Sequence, residues 1–128
     1  WSQKEMPVTE ELVKKAAGKS DKALVVLGRT AGEGKDYEDT EGGYRLDAAE
    51  KELLAMVTRH FKKTAVILNV TCVIDMSFLE EACENPVTAI LYVWHGGQEG
   101  GNAAADVITL PQPITAEHLK TFTRKIFT

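Results

Sequence analysis

Three short apolar runs, residues 23–27 (ALVVL), 65–69 (AVILN) and 89–93 (AILYV), stand out from a mostly polar chain. Stretches with helical spacing separate them. Runs apolar at successive positions, bounded by turn residues, predict strands covered on both faces, because a strand with one wet face alternates instead. Trp94 extends the third run. Ahead of the first, Thr9 offers a side-chain oxygen as a helix cap, and Glu10 and Glu11 place negative charge in the first turn. Leu12, Val13, Ala16 and Ala17 form the apolar stripe of that helix, which Gly18 ends. Asp47 and Glu50 have the spacing of a capping box for a helix running to about Phe61, with Leu53, Leu54 and Val57 on one face.

The second run is expected to continue, after a bend, through Cys72 to Ile74. Asp75 or Ser77 then caps a short helix carrying Phe78, Leu79 and Ala82, which Asn85-Pro86 terminates. After the third run, Gly96, Gly97, Gly100 and Gly101 predict a turn that uses positive φ and close backbone approach, leading into a helix near residues 102–107. Residues 108–110 read as a fourth, edge-like strand before Pro111 and Pro113. Thr115 caps a last helix to Phe127, in which Leu119, Phe122 and Ile126 face inward.

Strands joined through helices imply right-handed crossovers and parallel pairing. The expected fold class is α/β, a flavodoxin-like three-layer sandwich with a mainly parallel sheet, formed as a single domain over residues 1–128. Ligands of such sheets sit beyond the carboxyl ends of the strands, which directs attention to the loop 28–46 and the turn 95–101.

Composition narrows the function classes. A net charge of −4, with lysine and arginine dispersed along the chain, argues against nucleic acid as a partner. No apolar run approaches the roughly 20 residues that span a bilayer, so no membrane partner is expected and the chain reads as soluble. Cys72 and Cys83 lack CxxC spacing, and His60, His95 and His118 stand far apart, so no metal site and no cofactor are expected. The acidic alternation from Asp36 fails as a calcium loop, because Glu41 occupies the position that needs glycine and Asp47 the closing position that needs glutamate. GRTAGEGK at residues 28–35 fails as a phosphate cradle, with five residues between its outer glycines and Asp36 in place of a hydroxyl residue. Trp1 in place of Met, with no leader pattern after it, reads as a processed terminus or an excised piece.

Three ordered segments carry a family resemblance. ILYVWHGGQEGGNAAAD at residues 90–106 resembles a WxPGQEGGxAxADVL signature. ALVVLGRTAGEGKDYEDTEGGYRLDAAE at residues 23–50 resembles a strand, a GRxxGEGxDR loop and the helix that follows. TAVILNVTCVIDMSFLEE at residues 64–81 is similar to VVVLNxGxPVxMxWLxx, with Asn69 in the asparagine position. Together, residues 7–108 resemble the C-terminal α/β sandwich domain of glycoside hydrolase family 3, which includes many β-glucosidases.

The resemblance implies a domain that forms one wall of a cleft for β-linked sugars in a full-length parent. The nucleophilic aspartate would belong to a barrel domain missing from this chain. No catalytic residue is therefore assigned here, and the chain alone is expected to be non-catalytic. Glu33 and Asp36, from the GEGxD motif, are the expected substrate-binding residues, joined by His95 and Glu99 at the same edge; Tyr37 stands where the family pattern has arginine. Residues 109–128 depart from that pattern: TLPQP replaces a Gly-x-x-x-Pro-Ser-Gly-Lys-Leu-Pro segment, and the tail looks like the closing helix of a receiver or flavodoxin-like domain. A truncated or chimeric chain is the expectation. The alternatives are an engineered flavodoxin-like scaffold with no ligand and, on architecture alone, a receiver-like or flavin-binding module.

Overall fold

The computed structural model describes residues 7–29, 36–94 and 96–109. Its elements run α1 (Glu10–Ala17), β1 (Lys22–Gly28), α2 (Ala48–His60), β2 (Lys63–Asn69), α3 (Phe78–Glu81), β3 (Ala89–Tyr92) and α4 (Gly100–Thr109). The strands lie in the order β1-β2-β3, all parallel, with Val25 opposite Val66 and Val66 opposite Ile90. This is the expected α/β arrangement.

Local chemistry accounts for the first two helices. The Thr9 hydroxyl accepts from the Leu12 amide at the start of α1. At α2 the capping box closes reciprocally: the Asp47 carboxylate accepts from the Glu50 amide at 2.8 Å, and the Glu50 carboxylate accepts from the Asp47 amide at 2.9 Å. One face of the sheet then builds the core. Val25, Leu27, Val66 and Leu68 pack with Val13, Leu46, Leu54, Val57 and Phe78 into a single buried cluster.

The other face departs from the sequence expectation. Leu24 and Val26 are 56% and 60% exposed, so among the described residues β1 is covered on one face only. An apolar run reports that a strand can be buried on both sides, not that an element lies there to bury it. α4 occupies the neighbouring region, and an open groove of about 430 Å³ separates it from β1, lined by Leu24, Val26, Ile67, Ala104 and Ile108.

Other boundaries shift for identifiable reasons. Residues 108–109 belong to α4 and not to a fourth strand; the Thr109 hydroxyl donates to the Ala105 carbonyl at 2.8 Å, and Ile108 lies one helical turn beyond Ala104. α4 begins at Gly100, two residues before its expected start. β3 ends at Tyr92 because Trp94 turns the backbone out of the extended region, at φ 60°. The stretch 72–74 is not a strand; the Ile74 amide is satisfied by the Tyr92 hydroxyl. α3 is one turn long, and Ser77 caps it without a side-chain bond, because Asp75 takes both the Ser77 amide and the Ser77 hydroxyl. Leu110 and the expected helix at residues 115–127 lie outside the described residues. Among the described residues, no helix is long and apolar enough to cross a membrane.

Candidate functional site

Parallel strands deliver their carboxyl ends to one edge of the sheet, and three segments meet there: the loop after β1, the bend after β2 and the turn after β3. The loop is fastened at its base by Arg29. Its guanidinium is 6% exposed and spends all five donors. Nε donates to the Gly43 carbonyl at 2.9 Å, Nη1 to the Gly28 carbonyl at 2.9 Å and to Glu50 Oε1, and Nη2 to the Arg45 carbonyl at 3.3 Å and to Glu50 Oε2 at 2.8 Å. Because Glu50 also completes the capping box, one carboxylate joins the start of α2 to both ends of the loop. The returning arm is compact. Gly42 adopts φ 78°, and a Cβ at Gly43 would stand 2.6 Å from the Glu38 carbonyl oxygen, so both positions require glycine.

A second fastening lies farther along the loop. The Tyr37 hydroxyl accepts from the Thr71 amide at 2.9 Å and shares a hydrogen bond with the Thr71 hydroxyl, also at 2.9 Å. Asp36 Oδ1 receives the weak Cys72 thiol donor at 3.8 Å. The Tyr92 hydroxyl donates to the Cys72 carbonyl at 3.0 Å and accepts from the Ile74 amide at 3.2 Å. Burial pushes the Tyr92 phenol above its ordinary pKa, with smaller contributions from Tyr37, Cys72 and Tyr44 nearby. All three tyrosines of the chain thus gather at this edge. Trp94 joins them, its ring centroid 4.5 Å from that of Tyr92. Beside Tyr44 opens a cleft of about 480 Å³ with polar walls that include Arg45, Lys51, Asp75 and Glu81.

Of the two reasons expected for the glycines after β3, close approach holds, while positive φ falls on none of the described ones. A Cβ at Gly96 would stand 2.7 Å from the Gly100 Cα, so this glycine serves close approach. Gly100 and Gly101 lie inside α4, and the left-handed backbone falls on Trp94 instead. Glu99 accepts from the Asn102 side-chain amide at 2.6 Å, and its carbonyl accepts from the Ala103 amide at 2.9 Å, an arrangement that places negative charge at the helix start.

Of the expected binding residues, Asp36 therefore lies exposed at the shared edge with Tyr37, Thr71, Cys72 and Tyr92, while Glu99 bonds to Asn102 within its own turn. Glu33 and His95 lie outside the described residues. Sequence reasoning missed Arg29, although it is the arginine of the GRxxGEG pattern, and missed the anchoring hydroxyl of Tyr37, although the departure from arginine there was visible. Among the described residues no group of three or more His, Cys, Asp or Glu is arranged to hold a metal ion.

Comparison with known proteins agrees with this geometry. Residues 6–110 match the glycosyl hydrolase family 3 C-terminal domain. The chain is 44% identical over 108 residues to a β-glucosidase of Ruminococcus albus, an alignment covering 84% of this chain and 11% of that protein. A solved β-glucosidase from Paenibacillus barengoltzii superposes with a TM-score of 0.75 at 51% identity, covering 83% of this chain and 12% of that one. The structure of β-glucosidase 3B from Thermotoga neapolitana in complex with glucose gives a TM-score of 0.70 at 33% identity, covering 82% and 15%. The chain thus spans between 11% and 15% of the length of these relatives. The three sequence motifs, the parallel sheet and these matches coincide on the same residues, and the chain belongs to the glycosyl hydrolase family 3 C-terminal domain family.

Proposed function

We propose that this chain forms one wall of a β-glucoside-binding cleft in a longer hydrolase and is not catalytic alone. The observation that carries the reading is the doubly fastened loop, held by Arg29 and Glu50 at its base and by Tyr37 and Thr71 farther out, on a fold shared with β-glucosidases. Residues fastened in this way, Asp36 beside Tyr37 among them, present their side chains in fixed positions, which is what orienting a sugar requires.

Retaining hydrolysis places two carboxyl groups about 5–5.5 Å apart across the glycosidic bond. Among the described carboxylates around the loop, Glu50 is bonded to Arg29, Asp39 to Arg45 at 2.8 Å, and Asp36 accepts from Cys72. In this reading Asp36 and Glu33 accept hydrogen bonds from sugar hydroxyls, His95 and Glu99 contribute further contacts to the sugar, and the nucleophilic carboxylate comes from a barrel domain docked against this edge.

The test uses the purified chain. An activated aryl β-glucoside is expected to show no turnover above a blank, and methyl β-D-glucopyranoside is expected to perturb the amide resonances of residues 36–38, 71–72 and 94–97 in a saturable way. Robust turnover abolished by Glu33→Gln would overturn the non-catalytic half of the proposal. Saturable perturbation confined to the amino ends of the strands would overturn the placement of the sugar.

A further inference from the structure

Among the described residues, positive φ angles fall at Gly42 and at Trp94, the latter at 60°. A bulky side chain is strained in the left-handed region, where its Cβ crowds the following carbonyl. Glycine is plentiful in the residues that follow, yet the left-handed position itself is held by tryptophan. Such strain persists where the surroundings over-determine the backbone. Here the Val93 amide donates to the Leu68 carbonyl at 2.9 Å on one side, and on the other Gly96 packs against Gly100 with no room for a Cβ. Trp94 is pinned between a fixed ladder and a fixed turn.

The result is an indole presented outward. Trp94 is 47% exposed, which a core tryptophan would not be, and a residue that only made the turn would be glycine. The ring rests on Tyr92, with planes tilted by 36°. Tyr92 is itself immobilised by its two hydroxyl bonds to Cys72 and Ile74.

We propose that Trp94 is the floor of a carbohydrate subsite, its exposed face taking the C–H face of a β-linked pyranose while Tyr92 holds the ring in position. This inference rests on the cleft-wall reading above and deepens it. A β-glucopyranoside carries its hydroxyls equatorially, so both ring faces present C–H bonds of partial positive charge, complementary to the negative face of an indole. Hydroxyls around the sugar's rim meet the polar atoms of the same edge, Asp36 among them. An aromatic plane also loses little conformational freedom on binding, which suits weak, shallow recognition of a sugar.

The test is a titration of the isotope-labelled chain with methyl β-D-glucopyranoside, following the Trp94 indole N–H together with the amides of residues 36–38 and 71–72. The indole signal is expected to saturate with the same Kd as those amides. Trp94→Phe keeps the aromatic face and is expected to bind within about threefold of the parent, whereas Trp94→Leu weakens binding by about tenfold. Trp94→Gly supplies a readout that a merely structural role would not give: glycine takes the left-handed backbone without strain, so binding falls while thermal stability is kept or raised. Unchanged binding in Trp94→Leu or Trp94→Gly overturns the inference, as does a Trp94→Gly chain that melts well below the parent while binding equally well. If the amides of residues 36–38 and 71–72 saturate in Trp94→Leu with the parent's Kd, the stacking floor falls and the cleft wall stands. If the parent shows no saturable change at any of these positions, both fall.

Discussion

Replacing Arg29 by methionine should be the most damaging single change at the carboxyl edge of the sheet. The substitution leaves three carbonyl oxygens, those of Gly28, Gly43 and Arg45, without the donor they now share. It also strands the Glu50 carboxylate, 18% exposed, without its countercharge, although the Asp47 amide still donates to it. Breaking a buried pair by removing one partner costs about 3–5 kcal/mol, a large share of the roughly 5–15 kcal/mol that holds a domain together. Unfolding entropy of about 2.1 cal/mol/K per residue over 128 residues gives about 0.27 kcal/mol/K, so Tm should fall by about 11–19 °C. Arg29→Lys keeps the charge but cannot reproduce the planar fork, and should lose about half as much. Adding Glu50→Gln to Arg29→Met removes the uncompensated charge while keeping an acceptor for the Asp47 amide, and should recover part of the loss; circular dichroism melts and a double-mutant cycle measure both. A fall in Tm below about 4 °C for Arg29→Met, equivalent to about 1 kcal/mol, would refute the view that this guanidinium holds the loop.

Three further outcomes follow from the same geometry. Tyr37→Phe removes the acceptor of the Thr71 amide, so it should cost about 1–3 kcal/mol and speed hydrogen exchange at Thr71; unchanged exchange would mean that the second fastening is weak. Gly96→Ala places a Cβ 2.7 Å from the Gly100 backbone and should destabilise by about 1–3 kcal/mol in urea titrations, an unaltered midpoint showing instead that the turn is slack. At the junction of α1 and α2, Glu10 is held below its ordinary carboxylate pKa of 4.5 chiefly by its hydrogen bond to His60, then by Lys14. A depressed carboxylate stabilises the fold above the unfolded value and loses that contribution as pH falls through the folded one. The Tm gap between the parent and Glu10→Gln should therefore hold above pH 4.5 and close below it, whereas a gap constant down to strong acid would exclude this carboxylate as its source.

What the sequence reveals divides by how local the cause is. α1 and α2 are legible because Thr9 and the Asp47–Glu50 box act within one helical turn. The three strands are legible because each is a continuous apolar run. Ile108 misleads for the complementary reason: an apolar residue before a proline fits a strand end or a helix face equally well, and the decision rests on packing next to Gly101, Ala104 and Ala105. Leu24 and Val26 mislead because burial depends on what stands opposite. Trp94 continues an apolar run in sequence yet reverses the backbone in space, which no pattern of hydrophobicity expresses.

The candidate site shows the same division among its carboxylates. The loop and its flanks are visibly acidic, and residue type alone cannot rank the members. Partners can. Glu50 is spent on Arg29 and the start of α2, Asp39 on Arg45, and Glu99 on Asn102. Asp36 is joined to Cys72 by a thiol at 3.8 Å, the weakest donor in this set, and an ionised carboxylate has about four acceptor positions to fill. That leaves Asp36, unlike Glu50, Asp39 and Glu99, with most of its acceptor capacity to offer a sugar hydroxyl. Its backbone is held beside Thr71 by the neighbouring Tyr37. In a family whose pattern puts arginine after this aspartate, a tyrosine that anchors the loop through its hydroxyl changes the means of fastening while keeping the carboxylate at the edge where the cleft is proposed.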